Sequence, residues 1–250
     1  MFNVYKQYTV GTTNSPVNVR TAASISSTVV TQLAANTKVY LTGTNTTSGG
    51  YTWTQIVYGG SLRWCDKQWI NQEAYQEAYS LAVKQLYQSG QSWSNDYLGT
   101  SSSNSSDTIG KSGCLLTCTT MYYNFLNNAS ETPGTMNTKL KNAGMNTVDL
   151  DLSCIAKYFG WTTLYYEKSS TYSYDTILTK VKGNYGIAGG HPVIVRLIIK
   201  GADDMHFVVC YGYDGTKILI RDPAYYTNYT TLQSYVDAGY SITGYYSFKK

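Results

Sequence analysis

A chain of 250 residues can hold one large domain or two modest ones, and an apolar fraction of 42% gives either a real core. Charged residues make up only 14%, tyrosine alone takes 26 positions, and a formal net charge of +4 is spread along the chain. No block of Lys and Arg marks a nucleic-acid footprint, which excludes nucleic-acid binding, and a weak positive balance suits an anionic polymer such as a cell wall.

The opening MFNVYKQYTV has no basic leader followed by an apolar run, and no stretch approaches the roughly 18 uninterrupted apolar residues of a membrane span. Five cysteines, Cys65, Cys114, Cys118, Cys154 and Cys210, form an odd set without the regular spacing of a disulfide framework. The expectation is a chain made and folded in a reducing host cytoplasm, without a signal peptide and without membrane insertion.

From Val4 to Ile70 short alternating runs (VNVR, TVVTQL, TKVYLTG, YTWTQIVY, LRWC) are divided by turn residues, the pattern of a small barrel or sandwich of strands. After Trp69, NQEAYQEAYSLAVKQLYQ is rich in helix formers and repeats Ala74, Ala78, Leu81, Ala82 and Leu86 at helical steps. It predicts a semi-rigid helical connector over 72–87, between domains at 1–71 and 88–250.

A long stretch rich in Ser, Asn and Gly follows, of the length that is functional or disordered in compact domains. It leads into Gly113-Cys114 and the apolar run LLTCTTMYYNFL, which reads as a helix opened by Cys114. Further helices are predicted at 135–143, 150–159 and 174–182. The last third turns to strands in HPVIVRLII, MHFVVCYGYDG, KILIRDP and YSITGYYSF, with YDGTK as a hairpin turn.

Unpaired N–H groups at a helix start favour a thiolate, and a glycine beside it lets substrate backbone approach, so Cys114 is the candidate nucleophile. The chain has two histidines, His191 and His206, and Asp222 follows His206 by sixteen positions at the end of the next strand. Adjacent antiparallel strands would bring His206 and Asp222 together, and a carboxylate beside an imidazole sets its tautomer. Cys118 reads as core one turn below Cys114. Zinc at Cys114 and Cys118 lacks a fourth ligand at a sensible spacing, so no metal and no cofactor is expected. His191 reads as incidental, Asp203-Asp204 as a solvated turn and Asp214 as a hairpin residue.

Asn18-Val19-Arg20, Asn36, Lys38-Val39, Trp53 and Trp69-Ile70 together resemble bacterial Src-homology-3-like domains, with Ala22-Ala23 where a Gly-Pro is usual. The resemblance implies a targeting module for cell-wall peptide or glycan. Its rings are Tyr40, Tyr51, Trp53, Tyr58, Trp64 and Trp69, with Trp53 and Trp69 expected in the core.

Gly113-Cys114, His206-Phe207-Val208-Val209, Gly212-Tyr213-Asp214-Gly215 and Asp222-Pro223 resemble papain-like cysteine peptidases, more closely the branch related to leader-processing domains of bacteriocin exporters. The resemblance covers roughly residues 86–250. It implies an α+β fold: a papain-like cysteine peptidase domain preceded by a small all-β Src-homology-3-like barrel. It also implies an oxyanion hole made by the Cys114 N–H and an upstream Gln, matched by Gln88 with Gln91 as fallback. Domain pairing and the missing leader together look like a bacteriophage lysin, with peptidoglycan as substrate and ligand and a peptide or amide bond as target. A protease acting on a protein or leader peptide, and an inactive wall-binding or phage structural protein, are the alternatives.

Overall fold

The computed structural model describes residues 9–72, 78–168, 170–199, 205–224 and 229–250. The chain divides into two compact units with the boundary between Ala78 and Tyr79.

The first unit is all β: β1 Thr9–Thr13, β2 Val17–Arg20, β3 Val29–Leu33, β4 Lys38–Ser48, β5 Tyr51–Tyr58, β6 Ser61–Asp66 and β7 Ile70–Gln72. They form one sheet in the order β3-β2-β6-β5-β4-β1-β7. Val17 and Val19, Val39 and Leu41, and Ile56 alternate inward and close a core with Leu33, Cys65 and Ile70. The β4–β5 and β5–β6 turns are Gly49-Gly50 and Gly59-Gly60, all at positive φ, as two-residue hairpin turns require. Trp53 is 2% exposed and its indole N–H donates to Ser48 O, whereas Trp69 is 40% exposed. Trp69, expected in the core, lies instead at the end of the 3-10 turn Lys67–Trp69 that joins β6 to β7.

In the second unit, β8 Ala78–Ser80 is followed by an irregular segment, then β9 Tyr97–Gly99 and β10 Asn104–Thr108. Next come α1 Ile109–Ser112, α2 Cys114–Asn127, α3 Pro133–Asn142, α4 Leu152–Phe159, β11 Thr162–Glu167 and α5 Tyr174–Lys182. β12 Val193–Ile199, β13 Met205–Asp214, β14 Lys217–Arg221, α6 Leu232–Asp237 and β15 Tyr240–Lys249 complete it. The central sheet runs β11-β15-β12-β13-β14, with β8 also on β13.

Both faces of this sheet are covered, which is why its strands read as continuous apolar runs. Val195, Val208 and Cys210 face Ile177 and Val181 of α5 and Leu232 and Tyr235 of α6. Ile194, Phe207 and Val209 face Cys118, Met121 and Tyr122 of α2 and Leu152 and Ile155 of α4. α3 packs outside α2 through Met136, Leu140 and Leu116. No helix among the described residues is long and apolar enough to cross a membrane.

The helical connector expected over 72–87 is corrected at every residue described there. Residues 73–77 lie outside the described residues; 78–80 are strand and 81–87 extended. Helix propensity loses to tertiary contacts here. A Cβ at Gly212 would lie 2.6 Å from Tyr79 O, so only glycine lets this segment approach β13. Leu81 N–H donates to Tyr211 O at 2.7 Å, and Val83 is 1% exposed in the α2 core. Burying one such side chain is worth roughly 1.5–3 kcal/mol, more than the few tenths separating helix propensities. The Ser- and Asn-rich stretch is likewise ordered, as the β9–β10 hairpin and α1.

Candidate active site

β14 stops pairing with β13 at the Arg221–Val209 position, so among the described residues no strand flanks the first residues of β13 on that side. The chain turns there through Asp222 and Pro223. His206, second residue of β13, reaches across this gap: its Nε2 lies 2.8 Å from Asp222 Oδ1. Asp222 is 4% exposed and accepts from Ala224 N–H at 2.9 Å and from the Tyr235 hydroxyl at 2.6 Å. The Tyr235 ring lies 5.4 Å from the imidazole. A buried carboxylate is thus surrounded by donors that hold it ionised and aimed.

Asp222 occupies Nε2, which leaves Nδ1 for the remaining neighbour, the half-buried Cys114. Cys114 is the first residue of α2, and its Sγ is 3.9 Å from Met205 O. Gly113 before it has φ of −87°, open to any residue, but a Cβ there would sit 2.4 Å from Ile109 O. The glycine expected to admit substrate backbone instead admits the preceding turn of α1, which packs under the start of α2. Burial pulls the His206 pKa down, but the Asp222 hydrogen bond and the Cys114 sulfur outweigh it and raise it to about 9. The Asp222 contact thus favours the protonated imidazole.

Gln88 lines the same cleft, of about 880 Å³, as Cys114 and His206. Its N–H donates to Pro223 O at 2.9 Å and its Nε2 to Gly110 O at 3.2 Å, tying it to the Asp222 turn and to α1. The buried Oε1 has no hydrogen-bond partner among the described residues. Gln91 does not line the cleft; its N–H is held by Ser94 Oγ. Sequence reasoning missed Tyr235, on a short helix without an apolar period, and Gln85, whose Nε2 donates to Asp222 O at 2.7 Å.

The remaining candidates lie elsewhere. Cys118 is fully buried, its thiol donates to Phe207 O at 3.3 Å, and burial pushes its pKa well up. His191 lines a separate cavity and its pKa is lowered by burial and by Lys249. Asp214 pairs with Lys217 across the hairpin turn. Asp203 and Asp204 lie outside the described residues. All five cysteines are free, and the described residues contain no cluster of three or more metal-ligating side chains.

Residues 15–71 match the bacterial SH3 domain. Residues 102–248 match the Peptidase_C39 like family. Neither a curated protein nor a solved structure matches the chain. The pairing suggests a cell-wall-associated cysteine peptidase. Since the second match spans more than half of its residues, the chain belongs to the Peptidase_C39 like family.

Proposed function

We propose that the protein is a thiol hydrolase of bacterial peptidoglycan, acting in the manner of a phage lysin. The observation that carries this reading is the 2.8 Å contact of Asp222 with His206, whose side chain lines one cleft with Cys114, on a chain that also carries a bacterial SH3 domain. Exposed rings of Tyr40, Tyr51, Tyr58 and Trp69 on that domain offer flat faces for wall glycan or peptide.

The chemistry is acyl transfer. The Cys114 thiolate attacks a peptide or amide carbonyl carbon, and the oxyanion is received by the Cys114 backbone N–H and the Gln88 side-chain amide. His206, held by Asp222, gives its proton to the leaving amine as the C–N bond breaks. The neutral imidazole then takes a proton from water, whose oxygen attacks the thioester and releases the carboxylic acid and the Cys114 thiolate. Both substrate halves leave, and the imidazolium is restored.

Purified Gram-positive walls test the proposal. Under reducing conditions the protein should lower wall turbidity and release muropeptides with new termini, and C114A should do neither. New amino and carboxyl ends within the stem peptide or cross-bridge would identify an endopeptidase, and a freed sugar lactyl group an amidase. Walls left intact, with cleavage of a protein or leader peptide instead, would replace the wall substrate and keep the mechanism.

A further inference from the structure

β12 reads VIVRLII, and its fourth residue is a cation in an otherwise apolar central strand. Val195 and Leu197 on either side are fully buried on the α5 and α6 face. Arg196 points with Ile194 to the opposite face and lines the cleft with Cys114 and His206.

Its surroundings are specific. Across β13 its partner is Phe207, the residue after His206, and across β15 it is Gly244. The space beside Gly244 is used by Tyr246: a Cβ on Gly244 would lie 2.8 Å from the Tyr246 hydroxyl. Burial raises the Tyr246 pKa, and the hydrogen bond from Arg196 works against that rise.

The lysines of the cleft are matched by carboxylates. Lys111 is 3.0 Å from Asp107 and Lys168 is 3.6 Å from Asp151. Asp149 is exposed and accepts from Asn146. Arg196 makes no ion pair with any described residue, and its Nε is buried without a hydrogen-bond partner. Desolvating a guanidinium N–H without an acceptor costs free energy that a bound anion would return. The planar fork of arginine matches a carboxylate with two parallel hydrogen bonds.

We propose that Arg196, with the Tyr246 hydroxyl beside it, is a carboxylate-binding subsite of the cleft. It takes a carboxylate of the peptide substrate lying in the cleft that Arg196 shares with Cys114 and His206. This deepens the reading of Cys114 as nucleophile and rests on it.

Three near-isosteric thiol reagents test it: maleimidoacetyl-Glu-amide, with a side-chain carboxylate; maleimidoacetyl-Gln with a free terminal carboxylate; and neutral maleimidoacetyl-Gln-amide. Labelling rates are read at Cys114 by peptide mapping, with the exposed Cys154 as internal reference. One of the acids should label Cys114 at least about tenfold faster than the neutral reagent, and the faster acid identifies the source of the carboxylate. That ratio should fall to within about twofold in R196Q and to an intermediate value in R196K, and should persist in K168Q. Thermal melting checks that each variant folds, and R196K carries the test if R196Q does not. A wild-type ratio below about two for both acids, a ratio that survives in R196Q, or an equal fall in K168Q overturns the subsite. Failure of all three reagents at Cys114 overturns the nucleophile itself, and the subsite with it.

Discussion

The Tyr235 hydroxyl donates a 2.6 Å hydrogen bond to Asp222 Oδ2, the carboxylate oxygen that His206 does not use. One side of the carboxylate thus aims the imidazole while the other is anchored to α6. Removing the anchor in Y235F should cost about 1.5–3 kcal/mol of stability, the worth of a buried hydrogen bond to a charged group. Turnover should fall about tenfold with KM little changed, because the substrate is bound as before and the base is less well aimed. Thermal melts and steady-state rates on released wall peptide check both.

The pH dependence follows from His206. Its folded pKa is about 9 against an ordinary 6.5, so the charged imidazole and the stability it brings are fully present below about 6.5 and are lost as pH rises through about 9. Activity should show an alkaline limb near pH 9. D222N, which removes the main partner that raises this pKa, should move the limb downward. A limb that stays in place would mean that another group sets it.

Alkylation separates the two cysteines of α2. In the folded protein iodoacetamide should label Cys114 and leave Cys118 untouched, since burial holds the latter thiol protonated. C114A should abolish turnover while melting normally. C118A should lose roughly 0.5–3 kcal/mol of stability and keep its turnover, as for a core side chain.

Gln88 should matter where Gln91 does not. Q88A should lower kcat by about 10²–10³, the usual cost of one oxyanion donor, without a matching loss of folding. Q91A should change kcat by less than about threefold. Parallel kinetics on the two variants decide which glutamine serves the site.

G113A tests the support of α2. The added methyl would meet Ile109 O at 2.4 Å, so the α1–α2 junction must shift. Overpacking of this kind costs about 1–3 kcal/mol, and here it should also displace Cys114. A lower melting temperature together with slower Cys114 alkylation is the expected pair of results.

Local pattern carried much of the molecule. Alternation in VNVR and YTWTQIVY, the helical run after Cys114, and the apolar strands around His206 each depend on residues a few positions apart, which the sequence displays directly. The His206–Asp222 contact was legible for the same reason, since consecutive antiparallel strands joined by the Asp214-Gly215 turn leave little freedom in register. Residues 78–87 show the limit: their composition favours helix, and only the β13 edge, opened by Gly212 more than a hundred positions later, makes extended backbone the better solution.

Tyr235, Gln85 and Arg196 belong to that second kind. Each is an ordinary residue in its own segment, and each acquires a chemical role from surroundings that the tertiary fold alone supplies: the far side of a carboxylate, the Asp222 carbonyl, or a cleft in which no described carboxylate pairs with the guanidinium. Short-range periodicity determines which elements form. Closure of the sheet around the gap at the start of β13 decides which side chains share it, because that proximity depends on contacts between distant segments that no local pattern encodes.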